Sequence, residues 1–98
     1  MSNPVTVLAR LRAQPGQEAP MRAQAQSMIA PTLAEPGCLS YRTYVDPEDP
    51  GSWIVVEEWA DRAAFEAHLA SPHLAEALAR GAELLAGPPE VRILGAAA

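Results

Sequence analysis

The sequence switches repeatedly between segments whose apolar residues recur at every second position and segments in which they recur at every third or fourth. The first period is that of a half-buried strand and the second that of an amphipathic helix. In chain order the segments predict strand, helix, strand, strand, helix, strand. With short right-handed connections this order gives a ferredoxin-like α+β fold, one antiparallel sheet with the helices on one face. The strands are Val5–Arg12, Cys38–Asp46, 53–59 and 91–94, with a turn at 46–51; one helix crosses 21–33, and two consecutive helices are capped by Asp61 and Ser71.

The composition fits one small globular domain. Of the 98 residues, 49% are hydrophobic and 19% are charged, and a chain of this length forms one core. We place that core at residues 4–94 and expect a frayed tail at 95–98. The formal net charge of -5 argues against nucleic acid and anionic membranes as partners, because both repel an acidic protein.

The chain also has few features of a secreted or membrane protein. Cys38 is its single cysteine, so no disulfide can form within the chain and a small core residue is the expected role. Residues 1–4 lack the charged and apolar regions of a signal peptide, and no apolar run reaches about 18 residues. The single cysteine and the lack of signal-peptide and membrane-spanning patterns predict a cytoplasmic protein.

A sheet covered by helices on one face leaves its other face open. The outward-facing positions of the predicted strands carry both apolar and charged side chains. The surface they form is too apolar to remain exposed to water. We therefore expect a homodimer in which two sheets pack face to face and the charges pair across the boundary. The residues are Leu8, Tyr44, Ile54, Val56 and Leu94, with Arg10, Arg42, Glu58 and Arg92.

Two residues on the inward side are candidates for acid-base chemistry. Glu57 is the lone carboxylate on the strand parity that faces the helices, where burial disfavours its charged form. His68 shares a helical stripe with Phe65, and an imidazole exchanges protons near neutral pH. The alternative is a structural role for both residues. Glu57 would then be buried with hydrogen bonds to the backbone or to an arginine, and His68 would be a core residue whose ring nitrogens have hydrogen-bond partners. A register slip of one residue would replace Glu57 by Glu58.

Large flat side chains accompany these candidates. Tyr41, Trp53 and Trp59 lie on the inward parity and suit a planar aromatic compound, although core packing is the alternative. His73 follows a proline at a helix start and is predicted either at the mouth of the pocket or in solvent.

Metal and cofactor motifs are lacking in the sequence. His68 and His73 are five residues apart on either side of a proline, so they do not stack on one helix face, and no cluster of carboxylates accompanies them. The glycines are isolated turn residues, which form no phosphate-binding loop. We expect neither a metal site nor an organic cofactor.

Four segments together resemble the antibiotic biosynthesis monooxygenase family, a branch of the dimeric α+β barrel proteins. The likeness covers roughly residues 4–94 and implies a homodimer of ferredoxin-like subunits, each with a pocket between sheet and helices. The segments are Val-Thr-Val-Leu-Ala-Arg at 5–10, Ala-Pro-Thr-Leu-Ala-Glu-Pro-Gly-Cys-Leu-Ser-Tyr at 30–41, Val-Glu-Glu-Trp at 56–59 and Phe-Glu-Ala-His-Leu-Ala-Ser-Pro-His at 65–73.

The resemblance implies an activity as well as a fold. Similar family members are oxygenases that act on quinols or anthrone-type polyketides without flavin, haem or metal. The deprotonated substrate itself donates an electron to O₂, and the protein supplies a dry pocket and proton handling. Carried onto this chain, the resemblance implies Glu57 or His68 as base or hydrogen-bond partner. It implies substrate contacts from Tyr41, Trp53, Trp59 and Phe65, with His73 as a gate.

Other functions of this fold remain as alternatives. Haem-degrading relatives use an Asn, a Trp and an axial His where this chain has Ala9, His68 and Leu78, so haem is disfavoured. An isomerase of a small carbonyl compound would want an inward arginine for a phosphorylated substrate, and the inward parity holds none. A dimer that binds a small molecule without turnover is the remaining possibility.

Overall fold

The computed structural model describes residues 3–96, and its elements follow the predicted order. The four strands form one antiparallel sheet in the order β2-β3-β1-β4, which confirms the ferredoxin-like α+β fold. Within residues 3–96 no helix has the length and apolar character to cross a membrane. The elements are β1 Val5–Arg12, α1 Glu18–Ser27, α2 Ile29–Leu33, β2 Cys38–Asp46, β3 Asp49–Trp59, α3 Arg62–Leu69, α4 Pro72–Leu84 and β4 Glu90–Gly95.

The register of β3 decides which acidic residue faces the helices. Val7 of β1 pairs with Glu57, and Leu8 pairs with Val56. Successive side chains of a strand point to opposite faces, and Glu57 is buried whereas Glu58 is exposed. The predicted parity is therefore that of the structure.

The hairpin between β2 and β3 is tighter than the sequence predicts. We expected a turn across 46–51, but β3 already begins at Asp49. The carboxylate of Asp46 accepts a hydrogen bond from the backbone N–H of Glu48 at 2.8 Å. This local contact closes the turn within two residues, so the strand extends further than its apolar pattern.

Alternation along the predicted strand Cys38–Asp46 puts Leu39 on the same face as Tyr41, toward the helices, and this prediction is wrong. In β2, Cys38 pairs with Trp59 but Ser40 pairs with Glu58, so the register shifts across Leu39. An extra residue of this kind is a β-bulge, which the side-chain alternation cannot reveal. Leu39 is consequently 58% exposed, while the residues after the bulge keep their predicted faces.

The predicted helix across 21–33 is divided in two. α1 ends at Ser27 and α2 begins at Ile29. Pro31 has no N–H to donate to the carbonyl of Ser27, and its ring crowds that carbonyl, so a continuous helix is broken at this point. At the other end of the chain β4 is longer than predicted and includes Gly95, which pairs with Val5. Residues 97 and 98 of the predicted tail lie outside the described residues.

Two capped helix starts determine where α3 and α4 meet. The carboxylate of Asp61 accepts from the N–H of Ala64 at 2.8 Å, and the hydroxyl of Ser71 accepts from the N–H of Leu74 at 3.3 Å. Both are the N-cap contacts predicted from the sequence, each worth about 1 kcal/mol. Because just two residues separate the helices, the last turn of α3 adjoins the first turn of α4.

The inward face of the sheet carries two separate core clusters. At one end Trp59, Val7 and Phe65 are buried together. At the other end Trp53 packs with a group of smaller side chains, Ala13, Met21 and Ala25. The opposite, outward face exposes Tyr44, Ile54 and Leu94, as the outward parity predicts.

Candidate active site

A cavity of about 600 Å³ lies between the inward face of the sheet and helices α1, α3 and α4. Most of its wall is apolar, and Val7, Ala9 and Leu11 line it in succession along β1. Its polar side chains include Tyr41, Glu57 and His68, and Glu57 pairs across the sheet with Val7. The cavity therefore has a polar end near Glu57 and an apolar stretch along β1.

Glu57 is a buried carboxyl group at that polar end. Its side chain is 8% exposed, and its Oε1 accepts a hydrogen bond from the indole N–H of Trp59 at 3.0 Å. The same oxygen lies 3.8 Å from Nε2 of His68. Burial raises the pKa of Glu57, while the Trp59 donor and the His68 ring oppose the rise. Such an environment suits a group that gives and takes a proton.

His68 occupies the last turn of α3 with its side chain 3% exposed. Its ring centroid lies 4.9 Å from that of Trp59 and 6.4 Å from that of Tyr41. The two ring nitrogens have different neighbours. Nε2 faces Glu57, whereas Nδ1 lies 2.5 Å from Oε2 of Glu35.

Glu35 is the site residue that the sequence analysis missed. Its Oε2 also lies 2.8 Å from Nε2 of His73, so one carboxylate oxygen joins α3 to α4. The two histidines lie on different helices, as their spacing predicts, but both rings meet this one carboxylate. Glu35 lies in the Glu-Pro-Gly turn before β2. The sequence around it predicts a turn and carries no catalytic motif.

The backbone of the turn at Gly37 lies close to α3, which places Glu35 beside the helices. Gly37 has a φ of +84°, and a Cβ placed on it would lie 2.6 Å from the Cβ of Ala64 in α3. The carbonyl of Gly37 also accepts a hydrogen bond from the N–H of Ala60 at 2.8 Å. Glycine is required here on both counts, and the turn is thereby held against the start of α3.

The same three side chains form a cluster with metal-ligand chemistry. Glu35, His68 and His73 each present one ligand atom, and these atoms lie within 4.8 Å of one another. Imidazole and carboxylate donors are typical of transition-metal sites, and this cluster joins two helices and a turn, which spacing along a single helix does not reveal. The short N···O distances are also those of two N–H groups that share one acceptor.

Tyr41 and Phe65 are the other two predicted site residues that line the cavity. Tyr41 is the register partner of Glu57 on β2. Burial, with the charge of Glu57, raises the pKa of its phenol, so the hydroxyl stays protonated and is able to donate a hydrogen bond. Phe65 is 3% exposed and lines the cavity wall. Burial and the charge of Glu35 likewise raise the pKa of the Cys38 thiol.

Three predicted site residues are placed differently from expectation. Trp53 belongs to the far core cluster, where its indole N–H donates to the carbonyl of Pro50 at 2.9 Å, and it does not itself line the cavity. Trp59 is completely buried, and its indole N–H donates to Glu57. His73 opens on a second depression between α1 and α4 and is tied to Glu35.

Comparison with known proteins identifies relatives over nearly the whole chain. The family model described as antibiotic biosynthesis monooxygenase matches residues 4–80. The Rv0793 protein of Mycobacterium tuberculosis is 38% identical over 94 residues, which are 96% of this chain and 92% of that protein. Its solved structure superposes with a TM-score of 0.90 and covers 97% of this chain and 96% of its own.

Two further relatives differ in how much of this chain and of their own length the match covers. The protein sll1783 of Synechocystis is 33% identical over 91 residues, and the match spans 93% of this chain but 62% of that longer protein. The probable quinol monooxygenase YgiN of Escherichia coli is 36% identical over 80 residues, which cover 71% of this chain and 77% of YgiN.

Proposed function

Because this chain belongs to the antibiotic biosynthesis monooxygenase family, we propose that it is a monooxygenase that oxidises a quinol or a related aromatic substrate with O₂ and uses no flavin, haem or metal. One observation carries the proposal. A buried carboxyl group and a buried imidazole, Glu57 and His68, lie 3.8 Å apart at the polar end of an apolar cavity. The name of YgiN, a quinol monooxygenase, supports the substrate class.

The substrate's hydroxyl group meets these two residues. Transfer of its proton to His68 or Glu57 leaves a phenolate, which gives up an electron to O₂ more readily than the phenol does. One oxygen atom then enters the ring and the other leaves as water, with the quinol supplying the electrons. The protein's contribution is proton transfer and the exclusion of water.

The size and lining of the cavity suit an aromatic ligand. A volume of about 600 Å³ lies within the usual range of small-molecule sites, roughly 300–1,000 Å³. Tyr41 is positioned to donate a hydrogen bond beside Glu57, while Phe65 and the β1 side chains offer apolar contact. A ligand with a hydroxylated ring and an apolar remainder fits both ends.

The outward face of the sheet supports assembly as a homodimer. Tyr44, Ile54 and Leu94 are 52%, 37% and 42% exposed there, and a sheet face of this kind is normally covered. Two copies packed through this face would leave each cavity on the far side of its own sheet. We therefore propose one complete active site per subunit.

An isomerase of phosphorylated carbonyl compounds fits less well. Such a substrate needs a cation, and the cavity lining among residues 3–96 includes a carboxyl group and a histidine but no arginine. A dimer that binds the quinol without turnover would use the same apolar wall, and activity measurements separate it from an oxygenase.

The test is oxygen uptake with menadiol, measured against the rate of menadiol autoxidation in buffer. We expect the wild-type protein to accelerate uptake, and Glu57→Gln and His68→Ala each to lower kcat by about 10²-fold or more, the usual contribution of an acid-base group. Glu48→Gln removes one carboxylate from the exposed hairpin turn and is the matched control with unchanged activity. Equal rates for wild type and both site variants would contradict the proposal.

A further inference from the structure

We propose that Glu35 is a positioning residue, which holds His68 in the tautomer that leaves Nε2 free to accept a proton. The inference rests on the proposed function for its catalytic consequence, but the tautomer itself is measurable without any substrate. Glu35 lies in a turn outside the strand and helix patterns, and its contacts with the two histidines point to this role.

One carboxylate oxygen determines where the ring hydrogens lie. Oε2 of Glu35 is 2.5 Å from Nδ1 of His68 and 2.8 Å from Nε2 of His73. When Glu35 is ionised it has no hydrogen to donate, so a hydrogen bond to each ring requires a hydrogen on the facing nitrogen. Because a neutral imidazole has a single N–H, Nε2 of His68 is left with a lone pair.

That lone pair is on the side where proton transfer is needed. His68 lines the cavity, and its Nε2 lies 3.8 Å from Oε1 of Glu57. The other tautomer would turn an Nδ1 lone pair against the carboxylate oxygen of Glu35 at 2.5 Å, which is repulsive. Glu35 thus selects the tautomer in the way that a carboxylate orients the histidine of a catalytic triad.

Glu35 is itself held in place. Its side chain is 13% exposed, and the second bond, from His73, comes from a ring that is 22% exposed on α4. The Glu-Pro-Gly turn fixes the backbone from the other side, because Gly37 packs against Ala64. A carboxylate restrained at both ends can fix the orientation of His68 as well as its tautomer.

The step that depends on this arrangement is a single proton transfer. The O–H bond of the substrate breaks, an N–H bond forms at Nε2 of His68, and the electron pair stays on the substrate oxygen. The resulting imidazolium is paired with Glu35 through Nδ1–H, a charge-assisted hydrogen bond. Oxidation by O₂ follows as a separate step of the proposed function.

The first experiment reads the tautomer of the wild-type protein directly. The chain has two histidines, so ¹⁵N-labelled protein gives two imidazole patterns, and His73→Gln assigns them. With the rings neutral, we expect His68 to show a protonated Nδ1 and an unprotonated Nε2. A protonated Nε2 with a bare Nδ1 would overturn the proposal, whatever the protein's activity.

The second experiment separates positioning from a structural role. Glu35→Gln keeps the shape of the side chain but lets its amide donate to Nδ1, so we expect the His68 pattern to shift toward Nε2–H. With menadiol, kcat should fall by about 10²-fold or more while KM changes by less than about threefold, because the group acts on proton transfer and not on binding. Glu66→Gln is the control, since Glu66 is an exposed residue of the same helix as His68.

The outcomes distinguish the two proposals. If wild type shows the Nδ1–H tautomer but does not oxidise menadiol, the proposed function fails and the positioning role stands. If wild type is active and Glu35→Gln keeps both the tautomer and kcat, positioning by Glu35 is wrong and the proposed function stands. Circular dichroism on Glu35→Gln must match wild type, and Glu35→Ala, which offers Nδ1 no partner, serves as the second variant.

Discussion

Trp59 donates its indole hydrogen to the same oxygen of Glu57 that faces His68, across 3.0 Å. The two residues are neighbours on one face of β3 and both are buried. Trp59 therefore contacts the carboxyl group of Glu57 although it does not itself line the cavity. A hydrogen bond to the charged form of a carboxyl group lowers its pKa, and here it opposes the effect of burial.

Replacing Trp59 should change the titration of Glu57 in a defined direction. Trp59→Phe removes the donor and keeps an aromatic ring, so we expect the pKa of Glu57 to rise further above its ordinary value. The measurement is a ¹³C NMR titration of the glutamate side-chain carboxyl groups. Trp53→Phe is the matched control, because Trp53 donates to the Pro50 carbonyl and its loss should leave Glu57 unchanged. An unchanged or lowered Glu57 pKa in Trp59→Phe would contradict this account.

The buried carboxyl group should also cost stability as the pH rises. Burial raises the pKa of Glu57 in the folded protein, so above its ordinary pKa the unfolded chain releases a proton that the folded chain retains. Stability therefore falls as the pH climbs from the unfolded toward the folded pKa, and is level beyond it. Glu57→Gln removes this dependence.

We expect Glu57→Gln to gain stability relative to wild type as the pH rises above the ordinary pKa of a glutamate, by on the order of 1 kcal/mol, the usual size of a single-residue effect. Urea unfolding at several pH values measures it. Glu48→Gln, in the exposed turn, should follow the wild-type curve. A stability difference between Glu57→Gln and wild type that does not vary with pH would show that Glu57 titrates alike in both states.

Alternation along β3 was sufficient to predict that Glu57 faces inward, because one buried face fixes a strand's register. It was insufficient for Trp53. Trp53 and Trp59 share a face, but six residues of strand separate them by about 20 Å, and alternation gives a face rather than a position along it. The helical stripe placed His68 correctly for a similar reason, since Phe65, three residues before it, lies on the same buried face.

The contact of Glu35 with the two histidines could not be predicted from local patterns. It joins residues 33 and 38 positions apart in the chain, and it depends on how closely the turn at Gly37 approaches α3. A bulge at Leu39 lies in the same stretch and also escapes a period-two reading. Irregular backbone and long-range contacts therefore position Glu35, the site residue that local patterns do not reveal.

A buried hydroxyl group offers a stability prediction away from the site. Thr32 is fully buried, and its Oγ1 has no hydrogen-bond partner among the described residues. Burying an unpaired hydroxyl costs about 1–3 kcal/mol, so Thr32→Val should raise the free energy of unfolding by about 1 kcal/mol. Thr32→Ser keeps the hydroxyl and loses a methyl group, and it should destabilise. Urea midpoints decide, and a less stable Thr32→Val would mean that the hydroxyl is paired in solution.

Two glycines with nearly equal φ angles allow the effect of the contact that positions Glu35 to be measured separately from that of backbone conformation. Gly16 has a φ of +86° and Gly37 of +84°, but a Cβ on Gly16 meets open space while one on Gly37 lies 2.6 Å from Ala64. Gly16→Ala should therefore cost about 1 kcal/mol, the penalty of a left-handed conformation. Gly37→Ala pays the same penalty and also pushes the turn away from α3, so it should cost at least 1 kcal/mol more, as overpacking does. Since that displacement carries Glu35 away from His68, Gly37→Ala should also lose menadiol oxidation, whereas Gly16→Ala keeps it. Thermal unfolding and oxygen uptake on both variants give the comparison, and equal losses in the two would show that the close approach to Ala64 contributes nothing.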